Sequence, residues 1–171
     1  MSAIVYRAAI VADAQALAKF AADTFIDTFG HLYPPQDLAA FLANSYAEQI
    51  QREELSDPAI ETWLALHEGD IVGYAMAGPM DLKVAHAEHD RELYRLYVDK
   101  DFKGAGISHA LMRCVLDWAR EQGAGTLWLS VWENNERAQR FYRGYAFEHV
   151  GEHKFMVGAT ADRDFIWRLM L

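Results

Sequence analysis

The 171-residue chain holds one cysteine, Cys114, so no disulfide can close within it. A reducing compartment is the expected setting, which here means the cytoplasm. Long apolar runs are also missing, and the opening MSAIVYRAAI has no basic-then-apolar pattern. No membrane span and no export signal is expected. Positive charge is scarce: 16 Lys and Arg stand against 25 Asp and Glu, a net charge of −9. Nucleic acid binding needs a basic face, so that class of partner is excluded. The acidity either serves solubility or favours a cationic small substrate. Repeats, low-complexity tracts and a linker are absent too, so one domain over residues 1–171 is the simplest organisation.

What is present centres on Arg91 to Arg120, RELYRLYVDKDFKGAGISHALMRCVLDWAR. Glu92 to Val98 alternates apolar and charged residues and reads as a strand. Lys103-Gly104-Ala105-Gly106 is a turn. Ile107, Leu111, Met112, Val115, Leu116 and Ala119 then form a one-sided helical stripe that stops at Gln122-Gly123. Cys114 lies off that stripe; a helical cysteine is a small hydrophobe more often than a nucleophile. A helix start leaves N–H groups unpaired and mildly positive, and glycines let an anion come close to them. Gly104 to Ser108 therefore reads either as a phosphate cradle or simply as a tight turn. A P-loop is ruled out because Gly106 is followed by Ile107-Ser108 rather than Lys-Ser/Thr. A dinucleotide fingerprint is ruled out because His109 stands where a third small residue is needed.

The rest of the chain predicts a mixed α/β domain. Ile4 to Ile10 reads as a first strand, with Asp13 capping the helix that ends at Gly30. Pro34-Pro35 opens a second helix, and Gln49 to Leu55 is a third helical piece. Glu61 to His67 and Ile71 to Ala77 form a hairpin turned at Glu68-Gly69-Asp70. His86 and His89 fall in a polar loop with no convincing third ligand, so no metal is expected. Thr126 to Val131 is a strand, Val150 and Gly151 close another, and Asp164 to Leu171 is the last.

Two segments resemble motifs of the GNAT superfamily of N-acetyltransferases. Lys103-Gly104-Ala105-Gly106-Ile107-Ser108 is similar to motif A, Gln/Arg-x-x-Gly-x-Gly/Ala, departing from it at Lys103 and Ser108. Asn135 to Tyr142 is similar to motif B, Asn-x-x-Ala-x-x-Phe-Tyr, through Asn135, Ala138, Phe141 and Tyr142. The Gly-Phe that follows in the family is replaced by Ala146-Phe147. Thr24 to Gly30 followed by Pro34-Pro35 resembles the bacterial spermidine/spermine acetyltransferase branch.

The resemblance implies a sheet of about seven mostly antiparallel strands flanked by helices and splayed between the fourth and fifth. It implies acetyl-CoA as cosubstrate, with pyrophosphate on Lys103, Gly104, Ala105, Gly106, Ile107 and Ser108. Pantetheine would lie along Leu96, Tyr97 and Val98, with Asn135 binding it, capping its own helix, or both. The expected reaction is direct attack of an amine in a ternary complex.

An alkylamine with a pKa near that of lysine is nearly all protonated at neutral pH, a handicap of roughly 4–5 kcal/mol. Glu92 matches the family's base; its other reading is an exposed carboxylate at a strand start. Tyr142 matches the acid that protonates the leaving thiolate; its other reading is a core aromatic, for which Phe141 is the better candidate. The acceptor is expected to be a polyamine or other small cationic amine, with Asp23, Asp27, Tyr33 and Glu92 on its side. Other readings are acetylation of peptide N-termini, or an acetyl-CoA sensor without turnover. A homodimer is what the resemblance adds.

Overall fold

The computed structural model describes residues 2–171. Seven strands and five α-helices follow one another: β1 (Val5–Ala8), α1 (Ala14–Phe29), α2 (Pro35–Ser45), α3 (Glu48–Ser56), β2 (Glu61–His67), β3 (Asp70–Pro79), β4 (Arg91–Val98), α4 (Ile107–Glu121), β5 (Thr126–Trp132), α5 (Glu136–Gly144), β6 (Glu148–Val157) and β7 (Thr160–Met170). They form one sheet in the order β1-β2-β3-β4-β5-β7-β6, antiparallel throughout except for the central β4–β5 pair. This is the mixed, helix-flanked α/β sheet expected from the sequence.

The periodic segments fold for the reasons their patterns suggest. Every apolar position of the α4 stripe is buried, from Leu111 at 0% exposure to Leu116 at 8%. That stripe packs on β2, β3 and β4 and forms the larger core with Leu93, Leu127, Leu129 and Trp167. On the opposite face α1 buries Leu17, Ala21 and Phe25 against Leu64 and Tyr74 in a second core. The β2–β3 turn has positive φ at both Glu68 (51°) and Gly69 (91°), as a tight hairpin with right-handed twist requires.

Four expectations need correction. The first strand is only Val5–Ala8, because the chain turns at Val11–Asp13 into a short 3₁₀ helix. Asp13 does not cap α1 with its side chain. Its carboxylate instead accepts the Ile10 N–H (2.8 Å) and pairs with Arg7 (2.8 Å). The last two strands are longer than their patterns suggest and make a continuous hairpin through Gly158 and Ala159. A register shift between His149 and Gly151 had hidden the alternation of β6.

The central seam positions the site. Only Arg91 and Glu92 of β4 pair with β5, opposite Leu127 and Trp128. Beyond Glu92 the two strands part, and among the described residues Leu93–Val98 has no strand partner on that side. A register shift lies where Met76 pairs with Arg95 and Ala77 with Leu93, so Tyr94 is the extra residue. A bulge of this kind bends its strand and sharpens the twist, which swings β4 away from β5.

Candidate active site

The splay opens into a cavity of about 740 Å³. One wall is β4, presenting Glu92, Tyr94, Arg95, Leu96 and Tyr97; the opposite wall is β5 and β7, with Ser130, Trp132, Asp162 and Asp164. Asn135, Ala138 and Tyr142 close the end toward α5. Leu96 and Tyr97 are half-buried and Val98 is buried, along a strand edge that has no β5 pairing among the described residues. Such an edge can accept an extended, amide-bearing chain.

The glycine turn stands at the start of α4. Gly104 and Gly106 have φ of +86° and +81°, a region costly for any residue with a Cβ. The space beside both stays open, since a Cβ built there would meet nothing within 4 Å. The first bond of α4 runs from Ala110 N–H to Gly106 O (3.1 Å), leaving the N–H groups of Ile107, Ser108 and His109 without helical partners. The Ala105 N–H is used inside the turn, on Phe102 O (3.3 Å). Lys103 is exposed, and Ile107 turns its side chain into the core and offers only backbone.

Asn135 caps α5: its Oδ1 accepts the Ala138 N–H at 3.2 Å. The two aromatic residues of that helix are placed the other way round from expectation. Tyr142 is the buried one, at 8% exposure, while Phe141 is half-buried beside His109 and Tyr145 over a shallow surface pocket. Consecutive helical residues point about 100° apart, and it is position 142 that falls on the core side. Among the described residues no hydrogen bond holds the Tyr142 hydroxyl. Burial raises its pKa, so the phenol stays protonated.

Glu92 is not the exposed strand-start carboxylate of the alternative reading; it is 7% exposed. Its Oε2 accepts the N–H groups of Asp81 (2.7 Å) and Leu82 (2.9 Å) from the loop after β3. Burial raises its pKa, and those two bonds oppose the rise. Of the other expected acceptor-side residues only Tyr33 reaches the cavity. Asp23 pairs with Lys19 on the outer face of α1, and Asp27 lies 3.9 Å from Lys100.

Several cavity residues were not singled out in the sequence. Arg95 is bound by Glu54 of α3 at 2.8 and 3.1 Å and lies over the Tyr46 ring. Asp162 and Asp164 come from β7, and Tyr33 donates to Asp162. Their signal was present in Asp162-Arg163-Asp164-Phe165, where alternation puts both aspartates on one face. A roof covers this side. Asp37 at the start of α2 accepts the Ala159 N–H (3.2 Å) and the Thr160 hydroxyl (2.6 Å) of the β6–β7 turn. Phe41 packs edge-on to Phe155 beneath that contact.

The GNAT acetyltransferase family model matches residues 20–147, from α1 through both glycine turn and α5. The chain belongs to the GNAT acetyltransferase family. An uncharacterized N-acetyltransferase of Mycobacterium tuberculosis is 36% identical over 154 residues, covering 90% of this chain and 95% of the relative. Another from Lactobacillus delbrueckii subsp. lactis is 30% identical over 155 residues, 87% of each. Among solved structures, the PaiA N-acetyltransferase of Thermoplasma acidophilum, in complex with coenzyme A, superposes with a TM-score of 0.78 over 99% of both chains at 18% identity. This GNAT enzyme is therefore an acetyl-CoA-dependent N-acetyltransferase. No helix among the described residues is long and apolar enough to cross a membrane. Among them, no three His, Cys, Asp or Glu side chains gather as a metal set.

Proposed function

We propose that this GNAT enzyme acetylates a small cationic amine, a polyamine or a simpler diamine, in the cytoplasm. The observation that carries the reading is the charge of the cavity. Glu54 and Glu152 are already paired with Arg95 and Arg163, but Glu92, Asp162 and Asp164 have no cationic partner among the described residues. Glu92 and Asp164 are buried and Asp162 is half-buried, and carboxylates so placed without counter-charge favour a ligand that brings one. Aromatic faces of Phe25, Tyr33 and Phe41 line the same space and suit an ammonium or its methylene stem. The roof joining α2 to the β6–β7 turn narrows the approach, which fits a small acceptor better than a peptide laid across an open groove.

In this reading the backbone from Lys103 to Ser108 takes the pyrophosphate, and the free edge at Leu96, Tyr97 and Val98 pairs with the pantetheine arm. Asn135 adds its unused amide N–H₂, while Ala138 and Phe141 give the arm an apolar border. A backbone N–H of that β4 edge polarises the thioester carbonyl as charge develops on its oxygen. Glu92 supplies negative charge at the closed end of the slot, directly or through water. Tyr142, protonated and free of protein partners, donates to the departing thiolate. No acyl-enzyme forms.

The test is release of CoA thiol from acetyl-CoA over spermidine, spermine, simple diamines and N-terminal peptides. Turnover on amines and not on peptides is expected. Tyr142→Phe should lower kcat by about 10- to 100-fold with acetyl-CoA affinity unchanged. Peptide-only turnover would move the acceptor to protein N-termini. Tight acetyl-CoA binding with no turnover on any amine would leave a sensor.

A further inference from the structure

β7 brings a second carboxylate to the reacting side of the slot. In register, Trp132 of β5, Asp164 of β7 and His153 of β6 stand side by side across three strands, and all three line the cavity. Asp164 is 7% exposed and takes part in no ion pair among the described residues. No cation is left for it: Arg163, next in the chain, is paired with Glu152 and Glu133, and Ser130 supplies a neutral hydrogen bond that only partly opposes the effect of burial. Asp162 lies on its own strand face, and Glu133 follows the end of β5. Tyr33 approaches from the connection after α1 and is committed to Asp162. His153 is held toward its neutral form by burial, and its Nε2 is buried with no protein partner. Across the cavity Arg95 is satisfied by Glu54. Glu92 differs in kind, since one of its oxygens is fixed by two backbone N–H groups.

We propose that Asp164 is the catalytic base, taking a proton from the acceptor ammonium directly or through one water, while Glu92 serves as a fixed counter-charge. This rests on the cationic-amine reading above. The ammonium gives one proton to the Asp164 carboxylate. The freed amine then attacks the thioester carbonyl; the C–N bond forms and the C–S bond breaks. The thiolate takes the Tyr142 proton, and the amine's second proton restores Tyr142. Asp164 finally returns its proton to solvent, so one proton is released per turnover. Burial, and then the nearby Asp162, push the Asp164 carboxyl up to about 7, where a base at neutral pH works best.

The experiment is kcat/KM from pH 5.5 to 9 with the amine of the panel that turns over fastest, for wild type, Asp164→Asn, Asp164→Glu and Glu92→Gln. Wild type should rise about tenfold per pH unit on its acid side and level off near pH 7. Asp164→Asn should lose at least about 100-fold at pH 7 and lose that levelling, with acetyl-CoA binding intact. Asp164→Glu should recover part of the rate with a displaced limb, and Glu92→Gln should keep the limb while raising KM. Asp164→Asn that keeps both limb and kcat would overturn the assignment, as would loss of the limb in Glu92→Gln alone. Should Asp164→Asn fold poorly, an undisplaced limb in Asp164→Glu would overturn it equally. If wild type acetylates no amine at any pH, the functional reading itself fails and the base with it.

Discussion

At the scale of single residues, Ala146 shows a position where the chain departs from what its backbone asks. The sequence puts alanine where the family has glycine, and the turn after α5 holds it at φ +68°. A Cβ in this left-handed region costs about 1–2 kcal/mol. Ala146→Gly is therefore expected to raise the melting temperature by roughly 2–4 °C per kcal/mol recovered, partly offset by glycine's greater freedom when unfolded. Thermal unfolding followed by circular dichroism checks this, and acetyl transfer should be unchanged because the residue is exposed and faces no cavity. Cys114 offers the contrary case. It is half-buried in α4, and burial pushes its thiol pKa up, which makes it a packing residue and a poor nucleophile.

Elements explain why some of the site was legible and some was not. α4 could be read directly, because a 3.6-residue period writes its buried face into consecutive turns, and Ile107 to Ala119 obeyed it. The glycine turn and Asn135 to Tyr142 were equally local. Asp164 was not, since its cavity neighbours Trp132 and His153 are joined to it only by register across β5, β7 and β6. Nor was the bulge at Tyr94, one residue added to a strand pair whose alternation otherwise looks regular. The α2–hairpin contact is of this non-local kind too: Asp37 and Thr160 meet from opposite ends of the chain. Asp37→Ala should free the hairpin tip, cost about 1–2 kcal/mol of stability through the unpaired Thr160 and Ala159, and raise the acceptor KM more than it lowers kcat. Steady-state kinetics beside a urea titration would show this; an unchanged KM would mean the roof does not shape the acceptor site.

For the molecule as a whole, the cavity carboxylates set a cost that depends on pH. Asp164 has a folded pKa near 7, against an ordinary value of 3.8. Folding thus favours its protonated form. That contribution is fully present below about pH 4 and is lost as pH rises through 7. Asp164→Asn is expected to melt several degrees above wild type at pH 8 and to keep less than half of that advantage at pH 5, on the scale of up to about 4 kcal/mol at the higher pH for a shift of this size. Scanning calorimetry at the two pH values reads the difference, and an advantage at pH 5 alone would contradict it. Sheet order has another consequence, in the timing of folding. β6 pairs only with β7, and β5 holds β4 through two residues until β7 arrives, yet β7 follows every one of them along the chain. Three of the seven strands, β5, β7 and β6, are therefore joined through the non-local β5–β7 pairing, which needs the last strand of the chain. Trp128, Trp132 and Trp167 all sit in β5 and β7 and would report that pairing as a fluorescence change later than the formation of α4.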